Sequence, residues 1–157
     1  VGVAAETFPF VMERTVMPCD TDHSGVTWHG SYVAFFEAAR CRALEDLSLS
    51  YRELVDQNDC HMALSDLKLQ YKRPALMGDE LLLWTRVMGT DGTTDSVASL
   101  KTRVRFQTEM RLKSNPATLI CVAECTLVAL RARDLRPTRI PQSLREQLNI
   151  YLASRHN

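Results

Sequence analysis

Four residues able to do chemistry fall within one short stretch: Asp20, Asp22, His23 and His29. Most of them lie in a polar loop, Pro18-Cys19-Asp20-Thr21-Asp22-His23-Ser24-Gly25, just ahead of a segment with the pattern of a long helix. A helix start presents backbone N–H groups with no intrahelical acceptor, together with the positive end of the helix dipole. A carboxylate beside such donors can work on a carbonyl. The donors hold the developing oxyanion while the carboxylate attacks or activates water. The same residue types also suit a turn and a cap, which Asp favours through its own local hydrogen bonds. Residue type alone leaves both readings standing.

Two other chemistries can be tested on this loop. Asp20-Thr21-Asp22-His23-Ser24-Gly25 begins like a calcium-binding EF-hand loop, but Ser31 stands at the twelfth position, where a bidentate Glu is required. A D-x-D after a strand also suits the aspartate nucleophile of haloacid-dehalogenase-type phosphatases. That fold needs crossover helices between parallel strands, and the strands downstream here follow one another without them. No metal site is expected.

The elements that must position the loop can be read from periodicity. Phe8 to Met17 reads as a first strand. From Ser31 to Leu49 there is neither Gly nor Pro, and Tyr32, Phe36, Ala39, Ala43 and Leu47 recur every three or four residues, which predicts one long amphipathic helix. Ser50-Tyr51-Arg52-Glu53 fits a capping box and predicts a short second helix towards Gln57. Alternation then takes over. Leu67, Leu69 and Tyr71 mark a strand with one wet face; a turn at Pro74 and Gly78 leads to a strand over Leu81 to Val87. A turn at Gly89-Thr90-Asp91-Gly92 follows, and Ala98, Leu100, Val104, Phe106 and Met110 share one face of the next strand. Leu119 to Leu130 is apolar on both faces apart from Glu124 and should be central in the sheet. Leu144, Leu148 and Leu152 mark a C-terminal helix. Strands joined by hairpin-length turns imply an antiparallel sheet, and the helices imply an α+β layer, a sheet packed on one long helix.

Composition narrows the class. The 157 residues are 45% hydrophobic and 24% charged, enough for one domain with a core that needs no metal or disulfide. A single domain over 1–157 is expected, with its core at about 8–141 and the last helix at about 142–152. Nineteen basic and nineteen acidic residues balance to zero net charge, which argues against a general nucleic-acid binder. No apolar run is long enough to span a membrane. The first eighteen residues lack the apolar stretch of a secretory signal, although the chain begins at Val1 rather than Met. Five scattered cysteines without a C-x-x-C pair suit a reducing, cytoplasmic setting.

The run from Asp20 to Tyr32, Asp-Thr-Asp-His-Ser-Gly-Val-Thr-Trp-His-Gly-Ser-Tyr, followed by Phe35-Phe36-Glu37-Ala38-Ala39-Arg40, resembles the signature of hotdog-fold acyl-CoA thioesterases, closest to the 4-hydroxybenzoyl-CoA thioesterase family. Tyr71 to Leu81 resembles that family's strand–turn–strand, Ala123 to Leu130 its last long strand, and Arg136 to Pro141 its closing tail. The resemblance implies a five-stranded antiparallel sheet wrapped on one long central helix. It implies that Asp22 is the catalytic carboxylate, as nucleophile or as general base, and that backbone N–H groups around His29 and Gly30 polarise the thioester carbonyl. It implies a homodimer or homotetramer with sites at subunit interfaces, and no cofactor, since coenzyme A is part of the substrate.

Other residues are placed with less help from the motif. Trp28 is expected to wall the acyl pocket. Asp20 is expected to shape the loop, and Glu37 to pair with Arg40 at i,i+3. Some members of the family carry a basic cluster after the third strand that meets the coenzyme A phosphates, but here Gly89 to Ser96 holds two acids and no base. Lys101, Arg103 and Arg105, or the run Arg131, Arg133, Arg136 and Arg139, are the substitutes the sequence offers. Substrates considered are 1,4-dihydroxy-2-naphthoyl-CoA and a short or medium acyl-CoA. The alternatives are an acyl-carrier-protein thioesterase and a non-catalytic module that binds acyl-thioesters or protein partners.

Overall fold

The computed structural model describes residues 8–48, 50–88 and 101–153. In chain order these form β1 (Phe10–Thr15), one 3₁₀ turn (Pro18–Asp20), α1 (His29–Asp46), α2 (Tyr51–Asn58), β2 (Cys60–Tyr71), β3 (Glu80–Met88), β4 (Arg103–Leu112), β5 (Asn115–Arg131) and α3 (Gln142–Ala153). The five strands make one antiparallel sheet in the order β1-β3-β4-β5-β2. This is the expected α+β layer. The expected turn at 89–92 and the positions of Ala98 and Leu100 lie outside the described residues.

The long helix begins two residues before the expected Ser31. Trp28 is its extended N-cap, and Leu47, whose N–H is shared between the carbonyls of Ala43 and Leu44, closes it before Ser48 turns left-handed at φ 59°. Eighteen residues at 1.5 Å each give a rod about 27 Å long. Tyr32, Phe35, Phe36, Ala39 and Ala43 form its buried stripe, and the two alanines let its backbone lie close to the sheet. Ser50 and Glu53 form the capping box that starts α2: Ser50 Oγ accepts the Glu53 N–H at 3.1 Å, and the Glu53 carboxylate accepts the Ser50 N–H at 3.0 Å.

β5 lies between β4 and β2, as its apolar faces imply, and turns Cys121, Ala123, Cys125, Leu127 and Ala129 inward. One expectation is corrected. β2 and β3 follow each other in sequence but do not pair, because β5 and β4 lie between them. The segment from Lys72 to Asp79 is therefore no hairpin turn. It crosses the end of the sheet and passes beside the start of α1. Two apolar clusters line the helix: one beneath its first half includes Val16, Tyr32, Phe36 and Leu83, and one beneath its second half includes Leu44, Leu54, Phe106 and Leu148.

Candidate active site

The loop between β1 and α1 is held from inside by Asp20. Its carboxylate is buried, accepts the Met17 N–H at 2.9 Å, and meets the Arg14 guanidinium at 3.3 and 3.4 Å. Its own carbonyl accepts the Trp28 N–H at 3.2 Å, which ties the 3₁₀ turn to the helix start. Arg14 also lies over the Phe35 ring of α1, 4.9 Å from the centroid. Asp20 thus shapes the loop, as expected of it.

Asp22 is placed differently. It is exposed, and only Oδ1 is engaged, accepting the N–H groups of Ser24 at 2.8 Å and Val26 at 3.2 Å. Its main chain closes the same tight loop: its N–H donates to the Val26 carbonyl, and its carbonyl accepts the Gly25 N–H. Gly25 sits at φ +75°, where a side chain would be strained. Oδ2 has no partner among the described residues. One oxygen orients this carboxylate and the other is left available.

Beyond the loop the helix start carries open donors. No side chain caps it, and of its first three amides only Ser31 N–H finds an acceptor, the Trp28 carbonyl at 3.0 Å. The His29 and Gly30 N–H groups have none among the described residues. Trp28 and His29 are both exposed and meet edge to face at 5.0 Å. The hydroxyl of Thr27 is buried without a hydrogen-bond partner among the described residues, in a position that normally costs about 1–3 kcal/mol.

The crossover forms the far wall. Thr27 N–H donates to the Ala75 carbonyl at 2.9 Å, Ala75 N–H donates to Tyr32 Oη at 2.9 Å, and Met77 N–H donates to the Gly25 carbonyl at 2.9 Å. Val26 and Leu76 form an isolated bridge. Burial pushes the Tyr32 phenol up, so it stays protonated as this acceptor. Arg14, Thr27 and Tyr32 carry much of this architecture. The sequence gives none of them this role, not even Tyr32 in the helix stripe, because their partners lie on other elements or far along the chain.

Not every expected site residue gathers here. Within one chain, Lys101 and Arg103 lie at the opposite end of the sheet. Arg103 opens β4 opposite Val128, while the loop adjoins the end where Leu112 faces Asn115, about 30 Å away at 3.3 Å per residue. Arg103 and Arg105 line an open groove of about 410 Å³ on the sheet's outer face, with Ser65, Asp66 and Thr126. In the C-terminal run, Arg131 pairs with Asp134 and Arg133 with Asp59. Glu37 pairs with Arg40 as expected, and the buried Arg40 also donates to Tyr51 Oη at 3.1 Å and Cys125 Sγ at 3.6 Å. Glu37 is therefore committed to the helix's own anchoring. Among the described residues no group of His, Cys, Asp or Glu could hold a metal ion.

The sequence profile of the thioesterase-like superfamily matches residues 16–148, which includes the loop, the crossover and the whole sheet beyond β1. The chain belongs to this superfamily. Its relatives include the acyl-CoA thioester hydrolase YbgC of Escherichia coli, 27% identical over 125 residues, covering 80% of this chain and 84% of the relative. Among solved structures, a 1,4-dihydroxy-2-naphthoyl-CoA thioesterase from Synechocystis superposes with a TM-score of 0.76 at 21% identity, over 89% of this chain and 95% of that one. A DHNA-CoA thioesterase from Staphylococcus aureus gives 0.78 at 20% identity, over 93% and 92%. At such identities the likeness shows the fold, the hotdog sheet around its helix. In this thioesterase-like frame, the loop carrying Asp22 and the open first turn of α1 stand side by side. No described helix is long and apolar enough to cross a membrane.

Proposed function

We propose that the protein is an acyl-CoA thioesterase that hydrolyses a thioester to a free acid and coenzyme A, with Asp22 as its catalytic carboxylate. One observation carries the reading: among the described residues, Asp22 has one oxygen pinned by two loop amides and the other free, next to a helix start whose His29 and Gly30 amides have no acceptor. The thioester carbonyl accepts from those amides as negative charge builds on its oxygen. The free carboxylate oxygen either takes a proton from the attacking water or attacks the carbonyl itself. In the first route the C–S bond breaks, coenzyme A leaves as the thiol and the acid is released. In the second the C–S bond breaks as an anhydride forms on Asp22, coenzyme A leaves as the thiol, and water then cleaves the anhydride to release the acid and restore the carboxylate. No cofactor enters either route. Removing one such carbonyl donor typically costs about 10²–10³ in turnover. All five cysteines are unpaired thiols, which fits a cytoplasmic setting.

The reading extends to a homodimer. β2 is an edge strand with an unpaired side, a ready surface for pairing with a second copy. A twofold along that edge runs the two β2 strands antiparallel, so the Cys60 end of one lies beside the Tyr71 end of the other. Lys101 and Arg103 lie near the Cys60 end, and Asp22 near the Tyr71 end. Each site would then take its carboxylate from one copy and its phosphate-binding cations from the other. A carrier-protein thioester is the second substrate reading, for which the absence of bases in 89–96 leaves room.

The test is thiol release from aliphatic, benzoyl and dihydroxynaphthoyl esters of coenzyme A, and from an acyl-carrier protein, by wild type and Asp22→Asn. The asparagine keeps an oxygen for the Ser24 and Val26 amides, so it removes the charge and spares the loop. Turnover of one ester, lost by orders of magnitude in the variant, is the expected result. Full activity in Asp22→Asn would move the carboxylate elsewhere. No hydrolysis by wild type would leave a binding module.

A further inference from the structure

The turn that follows β5 carries a backbone outlier. Leu135 is left-handed at φ 56°, a conformation that leucine rarely adopts and that hairpin turns usually give to Gly or Asn. Its side chain is nevertheless 62% exposed, so packing into the core does not account for it. The surroundings hold it there. Arg131 N–H donates to the Arg136 carbonyl and Leu135 N–H to the Arg131 carbonyl, both at 2.8 Å, and Arg136 N–H donates to Asp134 Oδ1 at 3.1 Å. Asp59, at the end of α2, braces the turn from outside. Its carbonyl accepts the Ala132 N–H at 2.8 Å, and its carboxylate accepts the Arg133 N–H at 3.2 Å.

Positive charge gathers around the same turn. Its two acids are engaged, Asp134 with Arg131 and Asp59 with Arg133. Arg136 and Arg139 are exposed and have no ion pair among the described residues. Neither have the exposed Lys101 and Arg103, which lie alongside because the Lys101 carbonyl accepts the Ile140 N–H at 2.9 Å. Uncompensated cations thus collect at one end of a chain whose net charge is zero, around one outward aliphatic side chain. Residues 133–137 are all exposed, so the turn is a protruding tip and not a groove. Such a tip suits a fluid surface that closes around it better than a partner protein, which needs a wide and fitted area.

We propose that this turn docks the protein on an anionic lipid surface, with Leu135 entering the headgroup layer and Arg136 and Arg139 meeting lipid phosphates. Burial of the leucine side chain and attraction of each cation add separately to the binding. A Gly or Asn at position 135 would relieve the left-handed backbone but give up the apolar tip. The attachment is peripheral and reversible, since one aliphatic side chain and a few cations do not anchor a chain permanently. Docking of this kind does not depend on hydrolysis.

The experiment sediments the full chain with vesicles of phosphatidylglycerol mixed with phosphatidylcholine, and with vesicles of phosphatidylcholine alone. Wild type should bind the anionic vesicles only, and high salt should release it. Leu135→Asn should weaken the partition by about tenfold and melt no lower than wild type, because Asn tolerates the left-handed backbone. Arg136→Gln and Arg139→Gln should each weaken it by about fivefold. Equal binding to both kinds of vesicle, no binding by wild type, or full binding by Leu135→Asn would overturn the proposal. So would a Leu135→Asn chain that melts lower or changes its oligomeric mass, since the side chain would then serve the fold or a second copy. Soluble polyglutamate bound in place of vesicles, and bound equally by Leu135→Asn, would make the turn a site for an acidic protein and refute the lipid surface.

Discussion

Replacing the two loop aspartates one at a time should separate folding from chemistry. Asp20→Ala removes a carboxylate that is only 8% exposed, leaving the Met17 N–H without its acceptor and Arg14 without its counter-ion. A hydrogen bond to a charged acceptor contributes about 1.5–3 kcal/mol. The pair with Arg14, whose side chain is 43% exposed, adds about 1 kcal/mol at most after solvent screening. The sum is about 2–4 kcal/mol, which for a domain of this size lowers Tm by roughly 5–15 °C. Asp20→Asn keeps an acceptor for Met17 and loses the charge, so its cost falls to about 1–2 kcal/mol.

Asp22→Asn should behave in the opposite way. Its side chain is exposed, and an amide oxygen still accepts from Ser24 and Val26, so stability should stay within about 0.5 kcal/mol of wild type. Thermal melts rank the folded states, and thiol release at 25 °C, well below every midpoint, ranks the chemistry. The expected order is a melting loss for Asp20→Ala exceeding that for Asp20→Asn, with Asp22→Asn unshifted but the least active. An Asp20→Ala protein that melts with wild type would refute the assignment of Asp20 as the internal brace. An Asp22→Asn protein that melts below Asp20→Asn would show that the exposed carboxylate holds the loop.

Three further outcomes follow from side chains away from the loop. Arg40→Ala strips a buried cation from Tyr51, Cys125 and Glu37 and should cost about 3 kcal/mol in urea unfolding, whereas Glu37→Gln should cost about 1 kcal/mol or less and keep thioester turnover. Burial pushes the Cys121 thiol up to about 11 and raises Cys60 and Cys125, so near pH 8 about one Cys121 in a thousand is thiolate. A thiol reagent on the native protein should label the exposed Cys19 first, and Cys19→Ser should remove that fast phase. Ser50→Ala opens the capping box of α2 and should lower stability by about 1 kcal/mol, read from the same urea curves.

The sequence is most legible where structure is local. The spacing of Tyr32, Phe36, Ala39 and Ala43 marks α1, and Ser50 with Glu53 marks the start of α2, because the interacting groups lie within a turn of each other. The sheet order is less legible. Apolar residues on both faces of β5 say that it is central, but not that β4 and β2 flank it, so the passage from β2 to β3 looks like a turn when it is a crossover. The loop stands out by residue type, yet nothing local separates Asp20 from Asp22. Arg14, the group that claims Asp20, lies on a strand, and the family resemblance rather than the pattern of residues singles out Asp22. Gly30 is the plainest case. The sequence marks it only as a backbone donor, whereas in the structure the Trp28 indole lies where its Cβ would be.

The placement of Lys101 and Arg103 allows the dimer reading to be tested without a structure of the dimer. About 30 Å of β4 separates Arg103 from the end of the sheet that adjoins Asp22, too far for one coenzyme A ester to meet both in one chain with its carbonyl at the helix start. If the partner supplies the cations, two defective chains should repair each other. Asp22→Asn is inactive in the chemical step. Lys101→Ala/Arg103→Ala should raise KM by about tenfold or more through lost charge-assisted phosphate contacts. In a mixed dimer one site takes Asp22 from the second variant and both cations from the first, and so regains every group, while the other site loses all of them. Unfolding and refolding an equal mixture makes half the dimers mixed, so about one quarter of all sites should recover wild-type KM. If each chain serves its own site, no combination restores both functions, and the mixture gives only the average of its parts. The low-KM phase appears solely when carboxylate and cations come from different copies.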